Sequence, residues 1–341
     1  MNKPTQTGYE IHNENGTIDM SASIDKMIVE LEKRNPGKYA SFLKSLKKIK
    51  TVIWMMWVPY AQERSDILYY VYFWLRLLDD VVDWDTPIYI EPTMREDILS
   101  SKKITTDIEK NKKDLFDVLI WTALHTARDI WVEANIIRGV QWVVDSLSFD
   151  AKRISYAHKH GIPEEKTRDE LHTHFDGLDV EGTIFDTWEL FGLNPHYAVE
   201  ILRPLWFACR YVYTLQDILQ DPWQWLLNIP KEDMQKYNIT STDIQNISIA
   251  KNITQLPRSV KEWVAGMFDQ IDEQLRLYNQ NMKEKRIPLT YTQSKFKTWL
   301  YNMVLKKLVL KKWYVDEIED VRKQFNPIIF EVKNNLMQNF Q

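Results

Sequence analysis

The sequence predicts an all-α protein, and three observations carry that prediction. Apolar residues recur at three- and four-residue spacing almost throughout, and alternating strand patterns are missing. Only 9 glycines occur in 341 residues, fewer than strand-and-turn folds consume. Lys, Glu, Leu, Ile and Trp, which helices accommodate, are plentiful.

The elements follow in order. Residues 1–21 lack the apolar run of a secretory signal and read as a polar, disordered lead-in. The spacing then predicts helices over 22–34, 39–58 and 62–84, broken at "RNPGK" and around Pro59. A long periodic segment over 104–147, interrupted at least once, follows "DTPIYIEPT". Helices over 163–191 and 195–221 are delimited by "HGIPEE" and "GLNPH". The second should end at Asp221, because Pro222 pushes its predecessor out of helical geometry. The stretch "NIPKEDMQKYNITSTD" reads as a break, and helices over 257–284, 290–314 and 315–338 complete the chain. No repeat, low-complexity tract or composition shift marks a linker, so 22–341 reads as one helical domain.

Composition narrows the function. A net charge of -4 without a clustered basic excess argues against nucleic-acid binding. The single cysteine, Cys209, excludes an internal disulfide framework and fits a reducing compartment. No apolar stretch is long enough to span a bilayer. The expectation is a soluble, cytoplasmic protein. The basic amphipathic segment 296–314 has two readings: a core helix with lysines at the solvent edge, or a face for peripheral contact with anionic membrane. The 14 Trp, 16 Tyr and 13 Phe can fill a core or line a pocket for an apolar or cationic guest.

Chemistry concentrates in two acidic stretches. In "YFWLRLLDDVVDWD" (72–85), Asp79 and Asp83 share a helix face, Asp80 lies beside them, and Arg76 sits one turn below. The preceding "ILYYVYFWL" is apolar nearly all round, so this helix should be buried. Crowded carboxylates in such surroundings demand partners, and one arginine cannot neutralise three. A divalent cation can. Mg2+ suits the pattern, since it takes hard oxygen ligands and is often held by one or two carboxylates with substrate phosphates. Asp85 is explained well enough as a cap at the helix end. The second stretch, "LQDILQDPWQW", places Asp217 and Asp221 at i, i+4 with Gln220 between them, again behind an apolar run. Inward carboxylates on facing helices are how metal sites in helical bundles are built.

These residues resemble the squalene/phytoene synthase family. "YFWLRLLDDVVD" is similar to its Tyr…Arg-x-x-Asp-Asp-x-Val-Asp helix. "DILQDPWQWLLNIPKEDMQKYNIT" is similar to its D-x-x-E-D motif and the Leu-Pro-x-Glu-Asp loop after it, with Ile229–Met234 on the loop. The resemblance covers Lys48 to about Asp243. It implies an isoprenoid-synthase-type bundle around a central apolar cavity. It further implies prenyl diphosphate substrates, farnesyl or geranylgeranyl, bound through two or three Mg2+ ions, with Mn2+ as substitute. Asp79, Asp80, Asp83, Asp217 and Asp221 would be the metal-holding, catalytic residues. Tyr72, Arg76, Gln220, Lys48 and Lys50 would bind substrate. The implied reaction ionises one diphosphate and joins two prenyl chains head to head. Some relatives then reduce the product with NADPH, for which the chain shows no G-x-G-x-x-G fingerprint.

The chain departs from the family in four places, one of them "YVYTLQ" where an Asn-rich approach to the second motif is usual. Gln220 stands where Glu is usual. The serine-rich diphosphate segment is replaced by "LKKIKTVIW", whose Lys48 and Lys50 could act as point charges. The family's Ala-Gly-x-Val-Gly stretch becomes a region carrying Asp176, Asp179, Glu181 and Gly182. His172 and His174 nearby lack an ordered fourth ligand for zinc, as do His158 and His160. These departures keep two alternatives open: a class I terpene cyclase on the same scaffold, and a non-catalytic binding or assembly module.

Overall fold

The computed structural model describes residues 59–82, 115–182, 189–190, 194–218, 226–250 and 255–284, with Gly192 and isolated positions between 14 and 54. Among the described residues there is no strand; every regular element is a helix. These are α1 (Ala61–Val82), α2 (Leu115–Asp129), α3 (Glu133–His160), α4 (Arg168–Phe175), a π-helix (Asp176–Gly182), α5 (Pro195–Asp217), α6 (Lys231–Lys236), α7 (Ser241–Ile249) and α8 (Arg258–Glu284). The expected helices over 290–314 and 315–338, including the basic segment 296–314, lie outside the described residues.

Two compact units divide the chain, Met1–Ala151 with Glu181–His196, and Lys152–Val180 with Tyr197–Gln341. They interleave along the sequence, so no linker separates them.

In the first unit, α1 packs on α2. Val71, Phe73, Trp74, Leu75, Leu77, Leu78 and Val82 are buried, as their spacing predicted. Arg64 ties the start of α1 to a distant segment. Its Nε donates to the Pro59 carbonyl at 2.9 Å, and its guanidinium also bonds the Glu189 carbonyl. Burial lowers the Arg64 pKa while the Glu189 charge opposes that shift. The Glu189 carboxylate in turn accepts from Asn135 of α3 at 2.8 Å. The predicted interruption within 104–147 is the turn between α2 and α3, where Trp131 has φ 66. Helix α3 continues to His160, well past the expected 147, because small Ala151 and Ala157 extend the buried stripe of Val140, Val144, Leu147 and Ile154.

In the second unit, the expected 163–191 helix begins later and changes type. It begins at Thr167, whose side chain and Glu170 form a reciprocal capping box, and after Phe175 it widens into the π-helix. α4 meets α5 along one stripe. His172 stacks on Phe207 with ring centres 4.4 Å apart, the Arg210 guanidinium lies 5.4 Å from the Phe175 ring centre, and Arg203 grips both Asp176 oxygens at 2.5 and 2.6 Å. Positions 203, 207 and 210 share a helix face. Pro204 removes the amide that would bond the Glu200 carbonyl, and Asn281 of α8 donates to that oxygen instead, at 3.2 Å. Helix α8 buries Val260, Trp263, Val264, Met267, Phe268, Ile271, Leu275 and Tyr278, an unbroken amphipathic stripe.

Candidate metal and diphosphate site

Beyond the first turn of α1, the half-exposed positions Asp66, Tyr69, Tyr72, Arg76 and Asp79 lie in a stripe along one side of the helix, with half-exposed Tyr70 off that line. Spacings of three and four residues keep them on one side. Arg76 Nη1 lies 2.9 Å from Asp79 Oδ2, and both side chains are about one-third exposed (30% and 37%). The first acidic motif thus carries its own counter-charge one turn back. Asp80 lies within the helix, and Asp83 falls outside the described residues. Lys50 bonds Asp66 and lies 5.8 Å from the Tyr69 ring centre. Thirteen residues of helix, roughly 20 Å at 1.5 Å per residue, separate Asp66 from Asp79. The structure therefore brings Tyr72, Arg76 and Asp79 together and leaves Lys50 at the other end of the stripe. Lys48 lies outside the described residues.

Asp217, half-buried, is the last residue of α5. The helix stops a turn before the expected Asp221. Its chain turns at Ile218, which is buried beside Leu226, Leu227 and Ile229. Gln220 and Asp221 lie outside the described residues. Behind Asp217 is a hollow of about 10 Å3, lined by Thr214, Ile218, Leu226, Leu227, Ile229 and Trp263 among others. That is room for roughly one water. The buried Thr214 hydroxyl lining it has no hydrogen-bond partner among the described residues.

The loop after the second motif is anchored by residues that sequence reasoning did not single out. Arg153, only 1% exposed, donates to the Leu227 carbonyl at 2.6 Å and to Asn228 Oδ1 at 3.0 Å. Arg168 bonds the buried Asp233 carboxylate, whose second oxygen accepts from Trp263 Nε1 at 3.1 Å. Glu232 accepts from the Arg168 amide at 2.8 Å, and the Lys231 amide donates to the Lys166 carbonyl at 2.8 Å. Tyr211 lies within the electrostatic reach of Arg168 and Asp233, and burial pushes its phenol up, holding it protonated. Glu232 and Asp233 are thus framework acids. Asp176 is likewise committed to Arg203. One signal was legible: Arg153 is a charge within the apolar stripe of an amphipathic helix.

Among the described residues no three His, Cys, Asp or Glu side chains cluster as a metal site; Asp83 and Asp221 are not among those residues. No described helix is long and apolar enough to cross a membrane.

No family model and no curated protein matches the chain. Among solved structures, the crystal structure of a dehydrosqualene synthase in complex with ligand matches 91% of this chain and 95% of its own, with a TM-score of 0.51 and 16% identity. At that identity the likeness is one of fold. The chain has the all-helical fold of an isoprenoid synthase.

Proposed function

We propose, from that fold, that the chain is a Mg2+-dependent prenyltransferase that ionises farnesyl or geranylgeranyl diphosphate and condenses two such molecules head to head. One conjunction supports this most: a fold like that of a dehydrosqualene synthase, matched over 91% of the chain, and the half-exposed Asp79 of the acidic motif beside Arg76 on a largely buried helix. Carboxylate oxygens of this kind are the donors Mg2+ takes, so the residues present fit the ion, and Mn2+ could substitute. Asp79, Asp80, Asp83, Asp217 and Asp221 would hold it. The bound metal would supply positive charge to the leaving diphosphate.

The chain's own groups do the rest. Arg76, paired with Asp79 before substrate arrives, exchanges that partner for a diphosphate oxygen, which a planar guanidinium suits. Tyr72, one turn back on the stripe, contacts the substrate beside it. Gln220 supplies an amide where the family has a carboxylate, so the second motif contributes less charge. Apolar and aromatic side chains exclude the water that would quench an allylic cation.

Incubation with Mg2+ and each prenyl diphosphate, followed by mass spectrometry, tests this. A hydrocarbon of twice the substrate's carbon count is expected. Running the assay with and without NADPH reads whether the nucleotide takes part. No diphosphate release with either Mg2+ or Mn2+ would overturn the enzymatic reading in favour of a binding or assembly module.

A second reading is cyclisation of a single prenyl diphosphate, and the π-helix favours it. Asp176–Gly182 lies where the family's small-residue stretch falls, and π-helical turns re-aim side chains, often at functional sites. A product of equal carbon count would select this reading.

A further inference from the structure

The face of α5 that carries Arg203, Phe207 and Arg210 continues through Thr214 to Asp217, at spacings of three and four residues. Arg203 holds Asp176, Phe207 stacks on His172, and Arg210 lies over the Phe175 ring. Thr214 differs. It is 4% exposed, and its hydroxyl has no hydrogen-bond partner among the described residues. It does not bond even the Arg210 carbonyl one turn back, which a helical threonine commonly does.

That hydroxyl borders the hollow at the end of α5, whose volume of about 10 Å3 is close to what one water fills. Most of the wall is apolar, Ile218 and Ile247 included, and Trp263 has committed its indole N–H to Asp233. Asn228 is the other polar side chain described in the wall. Its Oδ1 accepts from Arg153 at 3.0 Å, and a carbonyl oxygen has room for two hydrogen bonds. A buried hydroxyl left without a partner is costly, and cavities that stay dry are lined by apolar groups.

We infer that the hollow is a site for one ordered water, which accepts from the Thr214 hydroxyl and donates to Asn228 Oδ1. Arg153 already joins the 226–229 loop to α3, through the Leu227 carbonyl and Asn228. The water joins the same loop to α5, within one turn of Asp217. The site is built without metal or substrate, so it stands apart from the enzymatic reading.

The test is a crystal structure of the full chain, with the melting of two variants. In wild type, one water should stand roughly 2.5–3.0 Å from both Thr214 Oγ1 and Asn228 Oδ1. Thr214→Val keeps the side chain's shape and deletes the hydroxyl. It should remove that water and lower the melting temperature by about 2 °C. Thr214→Ser keeps the hydroxyl and should keep the water. The direction of the valine result is decisive, because a hydroxyl stranded in a dry hollow is better deleted. An unchanged or higher melting temperature in Thr214→Val would therefore overturn the inference. So would a wild-type hollow without water, a Thr214 hydroxyl bonded to the Arg210 carbonyl instead, or a water that survives the valine.

Discussion

Asp79 and Asp233 each stand beside a second acid in the sequence, yet their surroundings assign them different work. Asp79 is over one-third exposed, and its described ion-pair partner, Arg76, is equally accessible. A pair of this kind contributes about 0.5 kcal/mol or less. Asp79→Asn should therefore change the melting temperature little while abolishing diphosphate release; near-normal turnover in that variant would remove Asp79 from the proposed site. Asp233 is 2% exposed and holds both Arg168 and Trp263. Asp233→Ala strands a buried indole N–H and a guanidinium, and should cost about 2–3 kcal/mol once the exposure of Arg168 is allowed for. Chemical denaturation reads that loss directly. The difference was not legible beforehand, because the partners of Asp233 lie 65 and 30 positions away. Crowding of charge behind an apolar run could flag Asp79; only packing could identify Asp233 as framework.

At the scale of elements, an intact apolar stripe was enough. Helix α1 was expected over 62–84 and runs Ala61–Val82, and α8 was expected over 257–284 and runs Arg258–Glu284. Where alanine carries the stripe, as in the second half of α3, the pattern faded and the helix was cut short. A π-helix has no compositional signature, so Asp176–Gly182 was unreadable. α6 lies inside an expected break and α7 begins at that break's end, although Thr240-x-x-Asp243 spells the capping box of α7, as Thr167-x-x-Glu170 does for α4. The α4 box makes a prediction with a pH signature. Hydrogen bonds from the Thr167 amide and hydroxyl depress the Glu170 pKa below its ordinary 4.5. A depressed carboxyl pKa adds stability above the unfolded value, and that increment is lost as pH falls through the folded value. Thr167→Ala should cost about 1 kcal/mol at neutral pH. The share carried by the hydroxyl's bond to the Glu170 carboxylate should fade below about pH 4.5, while the bond from the Glu170 amide to that hydroxyl does not titrate. No loss in the variant at neutral pH would mean the box is not what stabilises this end of α4.

For the whole molecule, the boundary between the two compact units falls inside α3, between Ala151 and Lys152. Neither unit is a contiguous stretch of chain. A helix runs through the boundary, so calorimetry of the full chain reads the thermal transition of both units. That transition offers a test of the candidate site that needs no turnover. If Asp79 and Asp217 help to hold Mg2+ and diphosphate, as proposed, adding Mg2+ with inorganic pyrophosphate stabilises the folded chain by mass action. At a ligand concentration about 100 times Kd the gain is about 2.7 kcal/mol, or roughly 4 °C for a chain of this length. Either ligand alone should shift the transition less, and Asp79→Asn and Asp217→Asn should each abolish most of the combined shift. A shift that survives both substitutions would place the anion elsewhere and separate the fold from the chemistry proposed for it.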